Sequence, residues 1–226
     1  MANHLDLEEQ EQLEQLKAFW GQYGNAITWG LVLIFVAFAS WNAFQYWQRS
    51  QAAQASALYD EVERSVGTGE ISKMQRAFDE MKNRYPSTTY AQQAALLLAK
   101  AALQSNKTEE AKGALRWAGE QGKDSALSTI ARLRLSVVLL ESKELDESVK
   151  VLKNDPTDPE YLALVQERRG DVLVAKGDKQ EAIESYKKAY AGSAAHPDFQ
   201  RLVRIKLNAL GADTEQTAVT PSTTGN

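Results

Sequence analysis

Cysteine is absent from the 226 residues, and histidine occurs only at His4 and His196. The lack of thiols excludes disulfide scaffolds, cysteine nucleophiles and thiolate-held metal or iron–sulfur centres. Neither histidine has a partner at ligand spacing, and no HExxH occurs. There is no excess of base either: 26 Lys+Arg face 30 Asp+Glu, a formal charge of −4. A nucleic-acid binder needs a basic face to release counterions, so the charge balance argues against that class. No P-loop and no GxGxxG following a strand is present. The only tight acidic cluster outside the N-terminal region, Asp155, Asp158 and Glu160, is interleaved with Pro156 and Pro159, the pattern of a turn and not of a calcium loop. Asn106-Lys107-Thr108 is a formal glycosylation acceptor at a turn. Nothing here points to an enzyme, a metal or a cofactor.

What the chain has instead is one long apolar run. Ala26–Trp47 holds 22 residues without a charge. As a helix it spans about 33 Å, enough to cross a hydrocarbon core of about 30 Å. Trp20 and Tyr23 flank one end and Tyr46 and Trp47 the other, as interfacial aromatics do. The run is longer than a signal-peptide core and an acidic segment precedes it, so it reads as a permanent anchor in a lipid bilayer. Residues 1–25 carry Asp6, Glu8, Glu9, Glu11 and Glu14 against Lys17, which accounts for the entire net charge of the chain. Leu13, Leu16, Trp20 and Tyr23 recur at helical spacing in this acidic arm. Lys17 before the run and Arg49 and Arg64 after it leave the orientation open.

After the anchor, Gln48–Val66 continues without Pro or Gly, with Ala55, Leu58, Val62 and Val66 at helical spacing. Breaks then fall at 67–69, 85–87, 105–107, 121–123, 142–143, 154–159, 176–178 and 196–197, and the segments between them are rich in helix formers. No stretch alternates with period two, so the fold class is all-α. Small residues repeat with spacings of 12 and 7: Ala99, Ala111, Ala118; Ser136, Ser148 and a poorly matching Asp155; Gly170, Ala182, Ala189. A large residue follows the middle one by four each time, at Leu115, Leu152 and Tyr186. Small residues let two antiparallel helices approach, and the large one fills the seam to the next hairpin. A period near 34 of this kind resembles the tetratricopeptide repeat (TPR). Gln166 departs from it, standing where a bulky apolar residue is usual. Gln54–Pro86 is a degenerate fourth hairpin whose small positions do not align. Pro197–Leu210 presents Phe199, Leu202, Val203, Ile205 and Leu210 as a capping helix.

The expected organisation is an arm at 1–25, a transmembrane helix at 26–47, a TPR-like solenoid at 48–210 and a Thr-rich disordered tail at 211–226. Such a solenoid lays the first helix of each hairpin along a concave face, the usual seat of an extended peptide or partner helix. Leu96, Lys100, Leu133, Val137, Glu167 and Asp171 are expected to line it, a mixture suited to unfolded polypeptide. The competing reading places the apolar members in the core, against the Gln48–Val66 helix.

This organisation resembles the YfgM family. Three stretches carry the resemblance: Trp41–Val62 (WNAFQYWQRSQAAQASALYDEV), Arg169–Tyr190 (RGDVLVAKGDKQEAIESYKKAY) and Ile205–Leu210 (IKLNAL). The resemblance implies a single-span bacterial inner-membrane protein, with its N-terminus cytoplasmic and a TPR-like periplasmic domain. It also implies an ancillary SecYEG translocon subunit that works beside a membrane-anchored periplasmic chaperone of the PpiD type and helps hand over translocated polypeptides. The alternatives are a scaffold for an envelope or cell-division complex and, with the topology reversed, a cytosol-facing TPR receptor.

Overall fold

The structure, a computed structural model, describes residues 7–156 and 158–212. His4, Asp6, Thr157 and the Thr-rich stretch beyond Ala212 lie outside the described residues, as does most of the expected disordered tail. The described residues contain helices and connecting turns but no strand. Contacts divide the chain into two units, one ending at Gln51 and the other beginning at Ala52.

The first unit is most of a single helix, α1, which runs Leu7–Thr68 and continues into the second unit. It is the one helix among the described residues long and apolar enough to cross a membrane. A core helix would bury its apolar side chains; here Leu33, Ile34 and Phe35 are 65, 66 and 69% exposed. Leu13, Leu16, Trp20 and Tyr23 are exposed as well, and no break separates them from the apolar run.

The second unit is a stack of helical hairpins. After the end of α1 come α2 (Ile71–Arg84), α3 (Thr89–Gln104), α4 (Thr108–Glu120), α5 (Ser125–Glu141) and α6 (Leu145–Val151). A 3₁₀ turn at Pro159–Tyr161 then leads into α7 (Leu162–Lys176), α8 (Lys179–Gly192) and α9 (Pro197–Ala209). Helices α3 and α4, α5 and α6, and α7 and α8 pair as hairpins, and α3 also touches α5, as α5 touches α7.

The first helix of every hairpin stops in the same way. Gly69, Asn106, Lys143, Gly177 and Gly211 have positive φ, at intervals of 37, 37, 34 and 34 residues. In each case the next N–H reaches back five residues: Glu70 to Ser65, Lys107 to Ala102, Glu144 to Leu139, Asp178 to Leu173 and Ala212 to Leu207, at 2.8–3.1 Å. This closure satisfies carbonyls that a helix end would otherwise leave orphaned. Gly177, at φ 92°, adopts the left-handed conformation without a Cβ penalty; Asn106 and Lys143 accept it at φ 58° and 62°. By these intervals α9 takes the place of the first helix of a fifth hairpin, and it is the final helix among the described residues.

The small-residue triplets sit where close approach is needed. Ala99, Ala111, Ala118, Ser136, Ser148, Ala182 and Ala189 are 0–1% exposed. The Ser148 hydroxyl donates to the Ser136 carbonyl at 2.8 Å, joining α5 to α6. Leu115, Leu152 and Tyr186 are buried in the seams.

Counting back from Gly69 shows why the first hairpin did not align. Val62, Met74 and Met81 take the three small positions there, all 0% exposed. These bulkier side chains keep α2 farther from α1 than α4 lies from α3. Ala55 is fully buried with them and Leu58 partly, whereas Val66 is 37% exposed. The Tyr85 hydroxyl donates to Gln54 Oε1 at 2.8 Å and ties the ends of the hairpin.

The third hairpin is short. Its second helix, α6, ends at Val151, so Asp155 lies past that helix and not within it. There it accepts from Gln166 Nε2 at 2.7 Å and Arg169 at 3.2 Å, while Asp158 caps the 3₁₀ turn through Glu160 N–H at 3.0 Å. These turn carboxylates are spent on the chain itself. Gln166, fully buried, holds this loop through its amide nitrogen, which explains its departure from the repeat pattern, although its Oε1 has no partner among the described residues.

Helix α9 closes the stack with Val203 and Leu207 fully buried and Phe199 and Leu210 partly covered. Leu202 and Ile205 are instead 45 and 60% exposed, because no described helix packs on that side. Arg204 occupies the small-residue position and is exposed, so α9 cannot be packed as earlier first helices are.

Candidate partner-binding groove

Leu96, Lys100 and Val137 line one groove between α3 and α5, of about 500 Å³, together with Leu103, Arg134 and Glu141. Its floor is Ala99, Leu115 and Val138, buried for the packing reasons above. Leu96 is 9% exposed and belongs to the core as well as to the groove wall, and Leu103 is 38% exposed. The rim is polar. Lys100, Arg134 and Glu141 are exposed and make no ion pair or side-chain hydrogen bond with the described residues.

The other three expected residues lie elsewhere. Leu133 is half-buried and packs against Leu152, Val165 and Val172. Glu167 and Asp171 sit on α7 and both bind the Lys206 ammonium of α9, Asp171 at 2.5 Å. Asp171 also accepts from the Tyr186 hydroxyl at 2.7 Å, and the Lys206 ammonium stands 5.7 Å from the Tyr186 ring centre. Burial, then the bond to Asp171, pushes the Tyr186 phenol well above its ordinary range. The side chain of Glu167 is only 8% exposed, so Lys206 offsets a charge that could not stay buried alone. This cluster fastens α9 to the stack.

A comparable tie spans the second and third hairpins. The Lys112 stem is buried, and its ammonium binds Glu109 at 2.8 Å and Glu144 at the start of α6. Those two carboxylates hold the Lys112 ammonium above its usual range. Gln92, fully buried, donates to the Ala118 and Asp124 carbonyls and the Ser128 hydroxyl and accepts from Asp124 N–H, joining α3 to the start of α5.

Reading the sequence alone missed Leu103, Arg134 and Glu141. The repeat period was the available signal for Arg134, which follows Lys100 by 34 residues. Leu103 and Glu141 needed knowledge of which turns of α3 and α5 stay uncovered.

The family model for a tetratricopeptide repeat-like domain matches residues 17–212. The ancillary SecYEG translocon subunit of Haemophilus influenzae is 33% identical over 205 residues, 90% of this chain and 98% of that protein. That of Neisseria gonorrhoeae is 30% identical over 211 residues, 93% of this chain and all of its own length. That of Escherichia coli is 29% identical over 205 residues, 89% and 96% of the two chains. The family model spans both the candidate transmembrane helix and the hairpins of this chain, the matches run nearly the full length of both partners, and the chain belongs to the family of ancillary SecYEG translocon subunits with a tetratricopeptide repeat-like domain.

Proposed function

We propose that this chain is a non-enzymatic, membrane-tethered interaction module at the SecYEG translocon, which helps pass translocated polypeptides to periplasmic chaperones. The observation that carries the reading is the groove between α3 and α5: apolar walls at Leu96, Leu103 and Val137 under a rim of charged groups that have no partner among the described residues. Uncovered apolar surface of this kind, rimmed by polar groups, marks an interaction site more often than a fold requirement. Leu96, Lys100 and Val137 touch the partner, while Leu133, Glu167 and Asp171 keep the first helices in register.

In this reading α1 crosses the bacterial inner membrane, the acidic arm is cytoplasmic and the hairpins are periplasmic. The partners are the translocon, a membrane-anchored chaperone of the PpiD type and unfolded polypeptide. The names of the relatives support the translocon association, and the family resemblance supports the chaperone step. Because α1 continues into the first hairpin without a break, the tether and the binding domain share one helix.

Site-specific photocrosslinking from position 100 and position 137 in native membranes tests the proposal. Adducts with translocon subunits, the chaperone or a nascent chain are expected. Recovery of none of the three overturns it.

A further inference from the structure

We infer that the groove between α3 and α5 takes an extended, acidic segment of a partner polypeptide, with a carboxylate at about every third residue and apolar side chains between. The inference rests on the partner-binding reading above and adds the chemistry of what is bound.

Three basic residues follow one another at intervals of 34: Lys100 in α3, Arg134 in α5 and Arg168 in α7. All three helices are first helices of their hairpins. Arg134 and Arg168 occupy the same place in the repeat, nine residues before the left-handed closures at Lys143 and Gly177. Lys100 stands six before the closure at Asn106, about one turn further along its helix, so the ladder is slanted.

The charges are available. Lys100 and Arg134 have no partner among the described residues. Arg168 meets Asp171 only at 3.4 Å, and that carboxylate is already held by Lys206 and Tyr186. The one acid on the groove rim, Glu141, is the last residue of α5 and closes that end to a further carboxylate.

The spacing also matches. Packed helices lie about 8–10 Å apart. A polyproline II-like chain advances about 3.1 Å per residue with three residues per turn, so it returns a side chain to the same face about every 9 Å. Acids three apart on such a segment therefore meet successive first helices, and the apolar residues between them reach Leu96, Leu103 and Val137. Exposed charge pairs contribute selectivity and encounter rate while the apolar floor contributes affinity.

The test uses the full chain in lipid nanodiscs and two fluorescent twelve-residue peptides, one repeating Asp-Leu-Ala and one repeating Lys-Leu-Ala. Fluorescence anisotropy should show binding of the acidic peptide, weakening as salt rises. The Arg134→Glu and Lys100→Glu variants should each lower its affinity about tenfold and improve binding of the basic peptide. Both wild-type side chains are exposed and without partners among the described residues, and circular dichroism checks that the variants stay folded. Equal affinity for the two peptides, no binding of the acidic one, or no change on charge reversal overturns the inference. If charge reversal has no effect but Val137→Asp abolishes binding of both peptides, the groove stands and only its charge preference fails. Binding unaffected by all three substitutions overturns the partner-binding groove itself.

Discussion

The ring of Tyr186 fills the space that a β-carbon on Gly170 would need: Cε1 lies 2.4 Å and Cδ1 2.5 Å from that position. The phenol cannot swing away freely, because its hydroxyl is bonded to Asp171 and its ring is 3% exposed. Helices α7 and α8 approach closely at this bare backbone site, and α9 is then fastened over the same tyrosine.

Gly170→Ala should therefore destabilise the domain by about 1–3 kcal/mol, the usual cost of overpacking a filled core. Gly113→Ala is the control. A Cβ at Gly113, in the middle of α4, meets nothing within 4 Å, so that change should stabilise by about 0.5–1 kcal/mol through helix propensity. Thermal unfolding of the two variants in detergent should shift in opposite directions.

Removing Lys206 strands the carboxylates of Glu167 and Asp171. Lys206→Met should cost about 2–3 kcal/mol, less than a fully buried broken pair because the Lys206 and Asp171 side chains remain 25 and 20% exposed. Hydrogen exchange should rise first in α9, whose amides then open without unfolding the earlier hairpins. Uniform loss of protection across α3–α6 contradicts this assignment of Lys206.

Tyr186 predicts an alkaline limb of stability. Its folded-state pKa is raised by burial and by the bond to Asp171, so between about pH 10 and that raised value the folded chain holds a proton the unfolded chain has lost. The stabilisation is complete below the unfolded pKa and declines as pH rises above it. Denaturant titrations from pH 8 to 11 should show a steeper loss for the wild type than for Tyr186→Phe, which cannot ionise. Parallel profiles contradict the prediction.

Orientation can be read directly because the chain has no cysteine. Single cysteines at Gln12 and Thr217 are challenged in intact cells with a maleimide that does not cross the inner membrane. Labelling at position 217 alone is expected. Labelling at position 12 alone reverses the proposed topology.

The sequence by itself determined the apolar run, the helix boundaries and three of the hairpins. These are local properties: Gly177, Asn106 and Lys143 stop helices through bonds five residues long, and residues 12 and 7 apart define each hairpin's contact face. The first hairpin stayed illegible because Val62, Met74 and Met81 stand where small residues signal the others. Tertiary structure alone decided which charges remain free. Glu167, Asp171 and Lys100 are all charged residues on first helices, yet Lys206 arrives from 35 and 39 residues away to neutralise the first two, while no described residue pairs with Lys100. That difference depends on stacking register, on repeats of 37 or 34 residues and on α6 ending at Val151. Such pairings are made between hairpins, where packing of whole helices and not local propensity chooses each neighbour.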